Sequence, residues 1–188
     1  MKADRNTQER IRRIVASHPE GEPFRVLFVC LGNICRSPAA EGMMRALVAA
    51  RGEEDEWVID SAGTGRYHIG ELPDRRMRLH ARQRGLELTH RCRQVCEEDF
   101  DSFDMIVGMD ASNMDNLRRL APSPEAEEKL VPMAAFFSGS ARYDYVPDPY
   151  YEGSEGFELV LDLLEDACEN LYNVVNGKTL SNIGYEKF

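Results

Sequence analysis

The sequence predicts an α/β fold, a parallel sheet covered by helices on both faces. Three observations carry that expectation. Four short apolar runs, at 25–29, 57–60, 104–109 and 129–133, read as buried strands. Segments of helical periodicity separate them, the alternation that a parallel sheet requires. The first run leads directly into "CLGNICRSP" (30–38), at the carboxyl end of a strand, where such sheets bind their ligands.

Residues 5–17 place Ile11, Ile14 and Val15 at helical spacing among charges. They predict a short amphipathic helix in an N-terminal extension, 1–23, outside the main domain. "GEPF" (21–24) is a break, and "RVLFV" (25–29) is the first strand. "SPAAEGMMRALVAARG" (37–52) is a helix with Ser37 as N-cap, Pro38 in the first turn and Gly52 as its stop. "WVID" (57–60) is the second strand, and "GTGRYHIGELPD" (63–74) is a loop by its Gly and Pro content. Asp74 caps a helix that Gly85 ends. Residues 97–103 form one or two helical turns before the third strand, "DMIVGM" (104–109). A helix, "ASNMDNLRRLA" (111–121), follows, then a last strand, "KLVPM" (129–133), weakened by its proline. A long loop (138–156) precedes the amphipathic helix "FELVLDLLEDACENLYNVV" (157–175). The main domain is 24–176, and the tail, 177–188, is polar.

The composition is globular and acidic, with 43% hydrophobic residues, 30% charged residues and a formal net charge of −10. That balance argues against nucleic acid and anionic membranes as partners. An anionic substrate is still allowed, because a site needs positive potential only locally. No apolar run approaches the ~20 residues of a membrane span. The first twenty residues carry charges throughout, without the apolar core of a secretory signal. The five cysteines, Cys30, Cys35, Cys92, Cys96 and Cys168, are odd in number and irregularly spaced. They read as free thiols in a reducing cytoplasm. Cys30 and Cys35 lack a second Cys or His pair at ligand spacing, so no metal is expected, and no cofactor either. His18, His68 and His80 read as surface residues.

The loop after the first strand meets the demands of an anion site. Backbone N–H groups at a helix N-terminus are unpaired, and the helix dipole adds positive potential there. Gly32 lets the chain turn, and Asn33 tolerates a left-handed conformation. Arg36 adds a planar fork matched to phosphate oxygens. Cys30 is the further feature. Facing amides, a helix N-terminus and a guanidinium, it is expected as a thiolate, a nucleophile aimed at phosphorus. Ser37 can hydrogen-bond the sulfur and improve it as a leaving group.

"VCLGNICRSP" (29–38), followed by "VPDPYYEG" (146–153), resembles the low-molecular-weight protein tyrosine phosphatases. The resemblance covers about 24–176 and includes "DSAGTG", "GMDASN" and "FELVLDLLEDAC". It implies a single three-layer, doubly wound domain with a four-stranded parallel sheet, which agrees with the four strands read above. It also implies roles. Cys30 forms a phosphocysteine. Arg36 and the amides of Leu31, Gly32, Asn33, Ile34, Cys35 and Arg36 hold the phosphate. Asp148 protonates the leaving phenolate and then activates water. Asn33, Ser37, Ser61 and His90 support the loop, with Asp110 behind them. Ile34, Tyr67, Tyr150 and Tyr151 wall a cleft too deep for phosphoserine to reach the sulfur. The implied partner is a phosphotyrosine protein, a tyrosine kinase being one candidate, and inorganic phosphate is a product. Family members oxidise the equivalent of the Cys30–Cys35 pair reversibly, which makes Cys35 a redox candidate. Where this chain has Cys92 the family usually has an apolar or small residue; neither Cys92 nor Cys96 receives a role.

Two relatives share the loop. Arginine phosphatases of this fold carry Thr where this chain has Ile34. Arsenate reductases use a redox Cys just after the third strand, where this chain has "GMD" (108–110). A non-catalytic anion-binding module is the remaining alternative; it would need neither Cys30 nor Asp148.

Overall fold

The computed structural model describes residues 4–139 and 141–177. The polar tail therefore lies, beyond Gly177, outside the described residues. Four strands, β1 (Phe24–Cys30), β2 (Trp57–Gly63), β3 (Met105–Gly108) and β4 (Leu130–Pro132), form one sheet in the order β2-β1-β3-β4. Every pairing is parallel. The helices are α1 (Arg5–Ser17), α2 (Arg36–Ala49), α3 (Arg75–Gln83), α4 (Asp99–Ser102), α5 (Ala111–Leu120), α6 (Pro124–Glu127) and α7 (Ser154–Val175).

Side chains of a strand alternate between faces, and β1 divides its residues accordingly. Val26, Phe28 and Cys30 join the core beneath α2, α3 and α7, while Leu27 and Val29 join the core with Phe100, Met114 and Leu117. The result is three layers in one domain. β1 is buried on both faces and paired on both sides. Burying a side chain such as Phe28 contributes about 1.5–3 kcal/mol, so the strand that ends at Cys30 is a firm support for the loop that follows.

The helix expected in the extension is docked on the domain. Ile11 and Ile14 are buried in the core, Arg10 Nη1 donates to the Leu130 carbonyl at 3.1 Å, and Arg13 pairs with Glu128 at 2.7 Å. Asp74 caps α3 as expected, accepting from the N–H groups of Arg76 and Met77. Ser37 does not cap α2. The helix begins one residue earlier, at Arg36, and Ser37 turns its hydroxyl into the site described below. α6 has no counterpart among the expected elements; Ser123 caps it, with Pro124 in its first turn. Two of the three histidines read as surface residues are mostly covered. His18 Nδ1 lies 3.2 Å from Asp104, and the ring meets Phe24. His80 stacks on Phe157 and pairs with Glu158 at 2.5 Å. Except for Phe24, these partners are distant in sequence, so no local pattern announces them. Among the described residues no helix is long and apolar enough to cross a membrane.

Candidate active site

β1 delivers Cys30 to the carboxyl side of the sheet, and the chain turns through residues 31–35 into α2. The turn is made by Asn33, which has φ +55°, the left-handed region that Asn tolerates better than most residues. Gly32 instead leaves room for a side chain, since a Cβ there would press on the His68 ring at 3.3 Å. Gly63, at the end of β2, lets the neighbouring strand come close, because a Cβ there would lie 2.7 Å from the Leu31 carbonyl oxygen. Among the described residues, the N–H groups of Gly32, Asn33, Ile34 and Cys35 donate to no protein acceptor. They line the start of a 14-residue helix, an arrangement suited to an anion.

The side chains beneath the loop form a continuous network. Cys30 Sγ lies 3.0 Å from Ser37 Oγ. Asn33 Nδ2 donates to Ser37 Oγ at 2.9 Å and to Ser61 Oγ at 3.0 Å. Asn33 Oδ1 accepts from His90 Nε2 and from the Arg93 amide, both at 2.9 Å. Ser61 in turn donates to Glu41 at 2.7 Å, and His90 Nδ1 faces Glu41 at 3.1 Å. Ser37 has one proton and two acceptors in reach, Cys30 and the Ala62 carbonyl at 3.2 Å. A thiolate at Cys30 would take that proton's hydrogen bond.

Arg36 is buried between two carboxylates. Nη1 donates to Asp110 Oδ2 at 2.6 Å and to the Val146 carbonyl at 3.1 Å, and Nη2 donates to Asp148 Oδ2 at 3.0 Å. Burial alone would weaken the charge, but Cys30, Asp148 and Asp110 outweigh it and raise the pKa further. Asp110 also caps α5 through the Asn113 amide, so one carboxylate fixes both a helix and the guanidinium. Asp148 Oδ1 accepts from the Tyr150 amide at 3.1 Å.

Above this floor opens a cleft of ≈ 390 Å³, lined by Cys30, Leu31, Gly32, Ile34, Cys35, Arg36 and Asp148, with Tyr67, His68, Tyr150 and Tyr151 as walls. Tyr151 is 94% exposed and Tyr67 75%. Tyr150 and Tyr151 meet at 5.0 Å with rings nearly perpendicular, and Arg76 lies over Tyr150. All the site residues expected from the sequence therefore gather at one place, in the cleft or beneath it. His68, read as a surface residue, is a cleft wall held by Glu71 at 2.8 Å. Glu41 and the Val146 carbonyl carry no sequence signal of their own. Cys35 is buried, which pushes its thiol strongly up.

Glu41, Asp60 and His90 bring their ligand atoms within 4.8 Å of one another. Each carboxylate already has an arginine, Arg45 on Glu41 and Arg93 on Asp60. Two guanidiniums beside the trio compete with a cation, and its geometry is that of a support for Asn33.

A family model described as low molecular weight phosphotyrosine protein phosphatase matches residues 25–181. The chain belongs to that family. A Synechocystis protein assigned to the low molecular weight protein-tyrosine-phosphatases is 48% identical over 159 residues, 85% of this chain and 100% of the relative. Among solved structures of such phosphatases, a protein tyrosine phosphatase of Entamoeba histolytica with Hepes in its active site superposes with a TM-score of 0.78. It is 42% identical, over 83% of this chain and 99% of that one. A Drosophila arginine phosphatase superposes with a TM-score of 0.73 at 34% identity, over 79% of this chain and 95% of that one. The low molecular weight phosphatase match begins at Arg25 and so leaves α1 outside it.

Proposed function

We propose that the protein hydrolyses phosphotyrosine in proteins through a phosphocysteine at Cys30. One observation carries the reading: a thiol, a doubly paired guanidinium and a carboxylate, Cys30, Arg36 and Asp148, converge on one aromatic-walled cleft. The phosphoryl oxygens rest on the amides of residues 31–36 and on Arg36. The Cys30 thiolate attacks phosphorus, the bond from phosphorus to the phenolic oxygen breaks, and Asp148 gives its proton to that oxygen. A phenolate has a pKa near 10, so this proton is worth about 10²- to 10⁴-fold in rate. In the second step water attacks phosphorus and loses its proton to Asp148. The S–P bond breaks, Ser37 stabilises the departing thiolate, and inorganic phosphate leaves. Arg36 and the amides supply the positive field, so the reaction needs no metal.

The walls support an aryl substrate. A phenyl ring fits between Tyr67, Tyr150 and Ile34 by offset and edge-on contacts. Ile34 favours tyrosine over arginine as the phosphorylated residue, since it offers no hydroxyl to a guanidinium. The absence of a Cys after β3 weighs against an arsenate reductase relay. The partner is a phosphotyrosine protein, a tyrosine kinase among the candidates. Five cysteines without a disulfide suit a reducing cytoplasm.

The test is Cys30→Ser. Hydrolysis of an aryl phosphate should fall below about a hundredth of the wild-type rate, while binding of inorganic phosphate or vanadate stays measurable. A variant that keeps the wild-type rate would refute the phosphocysteine.

A further inference from the structure

Cys92 takes no part in the chemistry above, yet it touches the loop that does. A peptide unit is planar, and its C=O and N–H point in opposite directions. Holding a loop carbonyl from outside therefore aims the next residue's N–H inward. Three carbonyls of the loop are held by backbone donors from the segment after β2 or from the start of α3. The Cys30 carbonyl accepts from Thr64 N at 2.8 Å, that of Leu31 from Gly65 N at 2.8 Å, and that of Ile34 from Asp74 N at 2.7 Å. The Asn33 carbonyl accepts from a side chain, Cys92 Sγ, at 2.8 Å.

We infer that Cys92 is a positioning residue whose S–H holds the Asn33 carbonyl and so aims the Ile34 amide at the phosphoryl group. The residue is well placed for this. Its side chain is buried, and its backbone is tied to the cleft-wall loop, with Cys92 N donating to the Glu71 carbonyl at 2.9 Å and Gly70 N donating to the Cys92 carbonyl at 2.8 Å. Its thiol is pushed up to about 11, first by burial and then by Cys30 and Glu71, so it keeps its proton and remains a donor at neutral pH. Backbone N–H groups serve the other three carbonyls whatever their residue types. At position 92 the donor belongs to the side chain, so substitution can remove it.

The inference rests on the reading of residues 30–36 as the phosphate cradle, and the test separates the two. Cys92→Ala, Cys92→Val and Cys92→Ser are compared with the wild type for kcat, KM and the inhibition constants of inorganic phosphate and vanadate. Ala and Val lack a donor, and Val also fills space. Both should weaken phosphate and vanadate by about 3- to 10-fold, the worth of one modest hydrogen bond, while Ser restores binding to within about twofold. Val matching the wild type while Ser behaves like Ala would mean that the side chain only fills space, and the inference falls. It falls also if all three variants bind as the wild type does while Cys30→Ser is inactive. A wild type that binds neither inorganic phosphate nor vanadate would instead remove the cradle reading itself. Should the variants fail to fold, a crystal structure of the wild type with vanadate decides: a Cys92 sulfur more than about 4 Å from the Asn33 oxygen, beyond hydrogen-bond reach, overturns it.

Discussion

Arg36 Nη2 and Asp148 Oδ2 are 3.0 Å apart, so in this state the proposed acid is bound to the proposed phosphate clamp. A phosphate bound by Arg36 as proposed would compete with Asp148 for that amine. A phosphoryl group taking that amine would leave the carboxylate free to face the leaving oxygen, as the proposed mechanism requires.

That exchange makes Asp148→Ala selective in its damage. Phosphotyrosine and phenyl phosphate leave as basic phenolates and need a proton, whereas dinitrophenyl phosphate leaves without one. The variant should lose about 10²- to 10⁴-fold on phosphotyrosine and clearly less on the activated ester. A rapid-quench measurement of phosphoenzyme formation across a leaving-group series checks this. Equal losses for every leaving group would mean that Asp148 only shapes its loop.

Ile34 is the residue to change for substrate choice. Its side chain lines the cleft without a polar atom. Ile34→Thr should raise the ratio of kcat/KM for phosphoarginine over phosphotyrosine peptides by roughly tenfold, the scale of one added hydrogen bond. An unchanged ratio would locate the selectivity elsewhere, with His68 the next wall to vary.

Alkaline pH should destabilise the fold through Cys92. An ordinary thiol titrates near 9.0 and this one near 11. Between those values the folded chain holds a proton that the unfolded chain has released. Its contribution to stability is thus complete below about 9 and lost as pH rises through about 11. Urea midpoints at pH 8 and pH 10.5 should fall further for the wild type than for Cys92→Ser, whose hydroxyl does not titrate there. Parallel falls would show that other groups carry the dependence.

Much of the site is legible in the sequence because its parts are local. Cys30, Asn33, Arg36 and Ser37 lie within one turn between a readable strand and a readable helix. Asp148 stands beside the two tyrosines that share its cleft. What is illegible is the long-range wiring. Asp110 reaches Arg36 across 74 positions and Cys92 reaches Asn33 across 59. Nothing in "GMD" or "HRCRQ" points at a partner. Ser37 shows the converse error. Beside Pro38 it has the composition of an N-cap, but Cys30, Asn33 and the Ala62 carbonyl claim its hydroxyl. His68 misleads for a similar reason, since Gly32 leaves room for its ring only once the loop is folded.

The helix outside the family match is testable through its core contacts. Ile11 is fully buried. Ile11→Ala should lower stability by about 2–5 kcal/mol, read by urea denaturation, while kcat/KM on an aryl phosphate stays at the wild-type value. A loss of activity in the folded variant would tie α1 to the reaction instead.

α1 also bears on how copies of this chain meet. Among the described residues β4 pairs only with β3, so its other side is an edge, and edge strands invite a second chain to add a strand. Arg10 closes that opening by donating to the Leu130 carbonyl, with its other amine on Glu128. α1 thus covers part of that edge as well as packing on the core. A chain cut back to the family's own length would keep the cleft while baring a seam for strand-to-strand growth, and its shelf life in concentrated solution would be the property to suffer first.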